Sequence, residues 1–297
     1  MPIHELAAVL AAACWALSGI LSAGPVAHLG PVAFTRIRMA MVFVMLAIWV
    51  LATGSWHTIR PEHAVTIIVS GMIGVFIGDT LLFLAMSRVG PRRSSILFSM
   101  NAPISAVLGW LVLDETLTAR ETAGICIVII GVMLAIVFGK RRSQLHQWEA
   151  VKGNLWVGVA IGLGAAASQA AGSLIVRPVM ETGVDPIAVS ALRVGSSLVC
   201  FYTALALTGE RFRPVNPLTP SVAAVTAVSG FVAMAVGMTL LLYALSGGEV
   251  GIVSTLSAMS PVLILPLIWW RTGEMPAPMA WVGATIAAVG MSQLFMA

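Results

Sequence analysis

Residues 71–87 read GMIGVFIGDTLLFLAMS, and residues 230–246 read GFVAMAVGMTLLLYALS. The two stretches match Gly71 with Gly230, Gly78 with Gly237, Thr80 with Thr239, Leu81 with Leu240, Leu82 with Leu241, Ala85 with Ala244 and Ser87 with Ser246, each pair 159 positions apart. The same offset joins Glu115 to Glu274, Gly124 to Gly283 and Gly131 to Gly290. An offset that stays constant over so much of the chain marks an internal duplication. Each copy holds five long apolar stretches, an odd number, so a second copy that continues from the first must enter a bilayer from the opposite side.

Of the 297 residues, 59% are hydrophobic and 9% charged, and the mean hydropathy is +0.99. A soluble domain of this length does not carry so little charge. A helix needs about 20 apolar residues to cross the hydrocarbon core. Ten such spans are expected, at roughly 5–24, 32–52, 65–87, 94–113, 121–139, 154–176, 186–207, 221–245, 250–270 and 278–296. The expected fold class is an all-α polytopic membrane protein with ten transmembrane helices arranged as two five-helix inverted repeats. Residues 1–139 form the first repeat, 140–153 a basic linker and 154–297 the second. Connections this short leave no room for a soluble catalytic or nucleic-acid-binding domain.

The formal charge of +4 is read as loop bias rather than as a site for an anionic partner, because excess Lys and Arg gather in cytoplasmic loops. Connections after odd-numbered spans hold Arg88, Arg92, Arg93, Lys140, Arg141, Arg142, Lys152, Arg211, Arg213 and Arg271, against Arg60, Arg120 and Arg177 on the other side. This places both termini outside. The start of the chain has no basic region followed by a cleavage pattern, so the first span is expected to stay in the mature protein. Cys14, Cys126 and Cys200 lie inside spans without metal or disulfide spacing and read as small buried residues.

Asp79 is the one acid expected deep inside a span. A carboxylate at membrane depth is costly unless it is paired or wet, which makes it a functional candidate; the alternative is a packing contact with a hydroxyl or with Arg38. Its counterpart in the second copy is Met238. Arg38 and Arg193 are themselves counterparts near the starts of the second and seventh spans. Either could fork a carboxylate, but side chains this long, near a span entrance, are expected to snorkel to the headgroups, and Arg36 to anchor at the interface.

Helical spacing aligns Trp15, Ser18 and Ser22 in the first span and Gln169, Gly172 and Ser173 in the sixth. It aligns Ser95, Ser99 and Ala102 in the fourth, and Ser254, Ser257 and Pro261 in the ninth. Phe83 lies one turn beyond Asp79, and Tyr243 one turn beyond Thr239. The candidate substrate-binding residues are therefore Trp15, Ser18, Asp79, Phe83, Ser95, Ser99, Gln169, Ser173, Tyr243, Ser254 and Ser257. Hydroxyls and small residues at such positions also serve as ordinary glue between membrane helices. Pro103 and Pro261 should bend matching helices and are gating candidates, with Pro266 a second break in the ninth span. Thr118 with Glu121 forms a capping box, and Glu115 reads as a cap or loop contact. None of the five histidines is paired at metal spacing, and no HExxH, GxSxG or phosphate loop occurs, so neither a metal, a cofactor nor an enzyme is expected.

Two five-helix copies with short loops, Asn101, Ala102 and Pro103 beside Ser260 and Pro261, and LDETLT at 113–118 beside TGEMP at 272–276 resemble the drug/metabolite transporter superfamily, in particular its ten-helix EamA-type exporters. The resemblance covers essentially the whole chain. It implies a central cavity lined by helices 1, 3, 4, 6, 8 and 9, and it is nearest to the bacterial aromatic amino acid exporters of that family. One departure is that spans 1 and 6 carry no interior acid, whereas related four-helix multidrug pumps depend on a Glu in their first helix. That argues against proton-driven multidrug antiport.

The leading expectation is a multi-pass transporter of the bacterial inner membrane that exports amino acids, aromatic or large apolar, or similar small metabolites by alternating access. Its partners would be a small-molecule substrate and the lipid bilayer, with no nucleic acid. Fused halves already supply a pseudo-symmetric pair, so a monomer is expected. Alternatives are proton-coupled drug or metabolite efflux, a nucleotide-sugar or phosphate-ester carrier short of basic residues, and a membrane scaffold or receptor, which would not explain the duplication.

Overall fold

The fold is known from a computed structural model that describes residues 3–137, 153–208, 213–272, 275 and 277–295. Most of the expected linker, and Glu274, lie outside the described residues. The described residues are helical almost throughout: α1 (Ile3–Leu29), α2 (Pro31–Thr53), α3 (Pro61–Ser70), α4 (Gly78–Ser99), α5 (Asn101–Leu113), α6 (Ala119–Val137), α7 (Leu155–Glu181), α8 (Pro186–Thr208), α9 (Pro220–Gly230), α10 (Met238–Leu245), α11 (Val250–Ser257), α12 (Ser260–Thr272) and α13 (Pro278–Phe295). Among the described residues, seven helical stretches are long and apolar enough to cross a membrane, and a shorter apolar one covers Leu97–Leu113. Leu51, Leu207, Val199, Trp110 and Trp156 are each more than half exposed. In water such a surface would aggregate; in lipid it is the matching solvent. The protein is a multi-pass membrane protein.

Local sequence explains the helix boundaries. Proline occupies the first turn of α2, α3 and α9, where its missing N–H is no loss. Gly30 links α1 to α2 at φ 81°, a conformation that L side chains avoid. Asp185 accepts from the backbone N–H groups of Ile187 and Ala188 at 2.8 and 2.9 Å and so caps α8. The capping box is present: Thr118 N–H donates to Glu121, and Glu121 N–H donates to Thr118 Oγ1.

The residues joining α3 to α4, Gly71–Ile77, and those joining α9 to α10, Phe231–Gly237, form wider π-helical turns. Both fall inside the duplicated stretch, and π turns often mark functional positions. The expected connection at 88–93 is instead helical, because α4 continues through Pro91 to Ser99. The break comes at Met100, and its counterpart falls at Ala258 and Met259. Pro103 and Pro261 thus sit in the first turn of α5 and α12, just past these breaks. Pro266, expected to add another break, lies within α12 without ending it. Cys126, expected to be buried, is exposed.

Glycines set the closest helix contacts. On α6 and α13, Gly124 faces Gly290 and Gly131 faces Gly283, so the two helices cross antiparallel. A methyl group added to Gly131 would stand 2.7 Å from the Gly283 carbonyl oxygen. Connections gather at two ends. At one end Val215 N–H donates to Leu29 O at 3.0 Å and Asn216 Nδ2 to His28 O at 2.9 Å. At the other, Asp185 N–H donates to Thr58 Oγ1 at 3.2 Å, and His4 Nδ1 lies 3.1 Å from Tyr243 O.

Candidate functional site

Asp79, the second residue of α4, faces Arg38 of α2. Arg38 Nη2 lies 3.2 Å from Asp79 Oδ2, with side-chain exposures of 7% and 17% respectively. Two aromatic rings cover the guanidinium, Phe34 at 5.2 Å and Phe83 at 5.4 Å, and these rings meet each other edge to face at 6.0 Å. Such cation–π contacts strengthen when desolvated. Arg193 of α8 is fully buried. Its Nη1 lies 3.8 Å from Met238 Sδ, while its Nε and Nη2 have no hydrogen-bond partner. Asp79 is within Coulombic reach of both guanidiniums.

The snorkelling expected of Arg38 and Arg193 is therefore wrong. Both heads turn inward, because α2 packs against α8 and α9, and α8 against the Gly71–Ile77 segment. Gly71 lies against the Arg193 backbone, and its counterpart Gly230 against Arg38. Glycine at these two positions lets the helices approach closely enough to seal the arginines in. Arg36, by contrast, stays near the surface beneath the Tyr202 ring, 5.5 Å away.

Trp15 and Ser18 point from α1 at the second half of the chain. Trp15 Nε1 donates to Ala233 O at 2.9 Å, inside the Phe231–Gly237 segment, and Ser18 Oγ donates to Ser229 O at 2.9 Å. Across the pseudo-symmetry, Ser70 Oγ donates to Gly172 O at 2.7 Å. Gln169 and Ser173 of α7 are buried and have no side-chain hydrogen bond among the described residues. The backbone of Gln169 runs beside Gly78, next to Asp79. Ser254 and Ser257 are buried in α11, and Ser257 Oγ donates back to Ser254 O at 3.0 Å, a local bond that uses up its donor. Ser99 is buried at the end of α4, and the side chain of Ser95 lies outside the described residues.

Tyr243 does not join this group. It stacks on His4 with ring centroids 5.1 Å apart, at the bundle end, and it lines a depression of about 340 Å³ with Thr58, Asp185 and Ser246. A second depression of about 510 Å³ lies along α8 beside Tyr202 and Leu207. Neither is lined by Asp79, Trp15 or Gln169. Neither depression opens onto the charged cluster.

A second charged group, around Glu115 and Arg177, ties the halves together at one end. Both carboxylate oxygens of Glu115 accept from Val250 N–H at 3.0 Å, capping α11 from 135 residues away. An anion there also meets the positive end of the helix dipole. Arg177 Nε stands 3.8 Å from Glu115 Oε1, and Arg177 also pairs with Glu181 one turn on. Glu249 closes the cluster. Burial pushes its carboxyl above the ordinary value, and repulsion from Glu121 and Glu115 adds to this.

The chain matches the model of one transporter family twice, over residues 3–137 and 156–296. It belongs to the EamA-like transporter family. EamA proteins are membrane transporters rather than enzymes. A Bacillus subtilis transporter, YyaM, is 30% identical over 96 residues, 32% of this chain and of that one. The threonine/homoserine exporter RhtA of Salmonella typhimurium is 28% identical over 140 residues, 46% of each chain. These two matches thus span less than half of either relative. A probable amino-acid metabolite efflux pump of Salmonella typhimurium is 26% identical over 293 residues, 96% of this EamA chain and 92% of the pump. A solved crystal structure shares the fold, with a TM-score of 0.82 at 15% identity over 99% of this chain and 96% of that one.

Proposed function

We propose that this EamA protein exports amino acids, aromatic or large apolar, or similar small metabolites across the bacterial inner membrane. It does so as a monomer, by alternating access between two inverted five-helix halves, residues 1–139 and 154–297, joined by the linker 140–153. The observation that carries this reading is the charged cluster of Arg38, Asp79 and Arg193, buried where elements of the two copies meet. Ionisable groups at membrane depth mark substrate or ion pathways. The inverted ten-helix arrangement is supported by the reciprocal contact of α6 with α13, in which each glycine meets the partner of the other. The sorting of connections into two ends supports it too, since each end gathers connections of one parity in the ten-span scheme.

Trp15, Ser18, Gln169 and Ser173 complete the substrate site when the halves part, and Pro103 and Pro261 lie beside the breaks about which α5 and α12 swing. Amino-acid export is favoured by the names of two relatives, the RhtA exporter and the Salmonella efflux pump. The burial of both arginines gives a phosphate-ester carrier more weight than the sequence did. Two guanidiniums and one carboxylate leave a single net positive charge, which matches a carboxylate better than a phosphate dianion. Liposomes containing the purified protein, given labelled amino acids and a labelled sugar phosphate with and without a pH gradient, test the reading. Saturable amino-acid uptake is expected. Uptake of the sugar phosphate alone, or of neither, refutes it. Uptake that requires the gradient and disappears in Asp79→Asn would make Asp79 the proton site.

A further inference from the structure

The two copies treat their buried arginines differently. In the first, Arg38 has a carboxylate from Asp79 and ring faces from Phe34 and Phe83. At the corresponding positions the second copy has Met238, Val189 and Leu242, none of which carries charge or an aromatic face. Arg193 keeps the position of Arg38 and is more deeply buried, yet among the described residues its guanidinium's one hydrogen-bond contact is the Met238 thioether at 3.8 Å. Its Nε and Nη2 are unpartnered, and Nη2 rests against Gly74, where even an alanine methyl would come within 2.9 Å. Gly74 in turn abuts Gly172 of α7, so the guanidinium head sits at the contact between the duplicated segment of one half and the first helix of the other.

A buried guanidinium with unmade hydrogen bonds is strongly unfavourable, and a sulfur acceptor offsets little of that. Asp79 is bonded to Arg38 and acts on Arg193 only through space, so Arg193 stands without a carboxylate in hydrogen-bond contact. We propose that Arg193 is the seat for the carboxylate of the transported molecule, which replaces at Arg193 what Asp79 provides at Arg38, and that Met238 is the plug the ligand displaces. This rests on the transport reading and narrows its substrate class to organic acids, amino acids among them. Met238 covers Nη1 and Nη2 is unpartnered, so displacing the thioether frees the two Nη groups at the end of the guanidinium, which a carboxylate engages with both oxygens. Met238 is suited to the role of plug, being unbranched and flexible.

Thermal unfolding of the full-length protein in detergent tests this without depending on flux. The wild type, Met238→Asp, Met238→Asn and Arg193→Gln are each melted alone and with L-phenylalanine, L-threonine and the carboxamides of both. A free acid should raise the wild-type Tm, as a ligand of the folded state must, while its carboxamide should not. Met238→Asp should melt above Met238→Asn, because it supplies the missing anion from within, and should no longer respond to acids. Arg193→Gln should lose the response. Met238→Asp melting at or below Met238→Asn, an amide as effective as its acid, a wild type indifferent to both, or an acid response that survives Arg193→Gln would each overturn the proposal. The two readings fail separately. Liposomes that carry acids and amides equally would keep transport and remove the seat, whereas acid-specific stabilisation without flux of any tested compound would keep the seat and remove the export reading.

Discussion

Removing Asp79 should cost more than removing Arg38, although the two form one ion pair. The contact is 3.2 Å long and both side chains are largely buried. At that separation and an effective dielectric of about 20, the attraction is about 5 kcal/mol before desolvation. For an isolated buried pair, loss of either partner costs about 3–5 kcal/mol, because it strands the other charge. Here the cluster holds Arg193 as well. Asp79→Asn raises the buried net charge from one to two positive, with no anion left in reach. Arg38→Gln lowers it to zero and frees Asp79 to turn toward Arg193. The expected cost is therefore about 3–5 kcal/mol for Asp79→Asn and about 1–2 kcal/mol for Arg38→Gln, mostly lost contact with Phe34 and Phe83. Unfolding in mixed detergent micelles, followed by the fluorescence of the nine tryptophans, reads both. Equal costs, or a larger cost for Arg38→Gln, would show that Arg193 takes no part in the cluster.

Glu115→Ala should destabilise the protein by about 1–2 kcal/mol by uncapping α11, and Gly109→Ala should reproduce much of that loss, since its methyl group would occupy the space of the Glu115 carboxyl; a neutral Gly109→Ala in the same unfolding assay would contradict the geometry. Gly131→Ala, which drives a methyl group into the backbone of α13, should cost at least about 1–3 kcal/mol, whereas Gly19→Ala, with nothing within 4 Å, should be neutral or stabilising. Glu249→Gln should stabilise the protein at neutral pH. The folded state holds that carboxyl above its ordinary 4.5, so the wild type loses stability as pH rises through the interval above 4.5. The advantage of the variant should fade as pH falls below 4.5 in a series of melts, and an advantage that grows on acidification would reverse the argument.

The duplication was legible because glycine, threonine and leucine recur at a fixed offset, and the family followed from it. So was the capping box at Thr118 and Glu121, whose members lie three residues apart and answer to local chemistry alone. Arg193 was not legible. Its distance from a span entrance suits snorkelling, and only the close approach of Gly71 reveals that its helix is covered on that side. Tyr243 failed for a related reason: helical spacing aligns it with Thr239 but says nothing of depth, and the turn after Leu245 brings it to the bundle end beside His4. The continuity of α4 through Pro91 was hidden because proline usually ends a helix. Glu115 was recognised as a cap, but its partner is 135 residues away in the other copy, beyond the reach of any local pattern.

Alternating access in this protein rests on the two copies being inverted, and Trp56 and Val215 test that directly. They are counterparts 159 positions apart, 51% and 75% exposed in equivalent connections. With Cys14, Cys126 and Cys200 replaced by alanine, Trp56→Cys and Val215→Cys are each treated with a membrane-impermeant thiol reagent, in intact cells and in inverted vesicles. Inversion predicts that Trp56→Cys reacts from outside the cell and Val215→Cys only from the cytoplasmic side. Labelling of both from the same side would mean parallel copies, and the account of how the Arg38, Asp79 and Arg193 cluster is opened to each face in turn would fall with it.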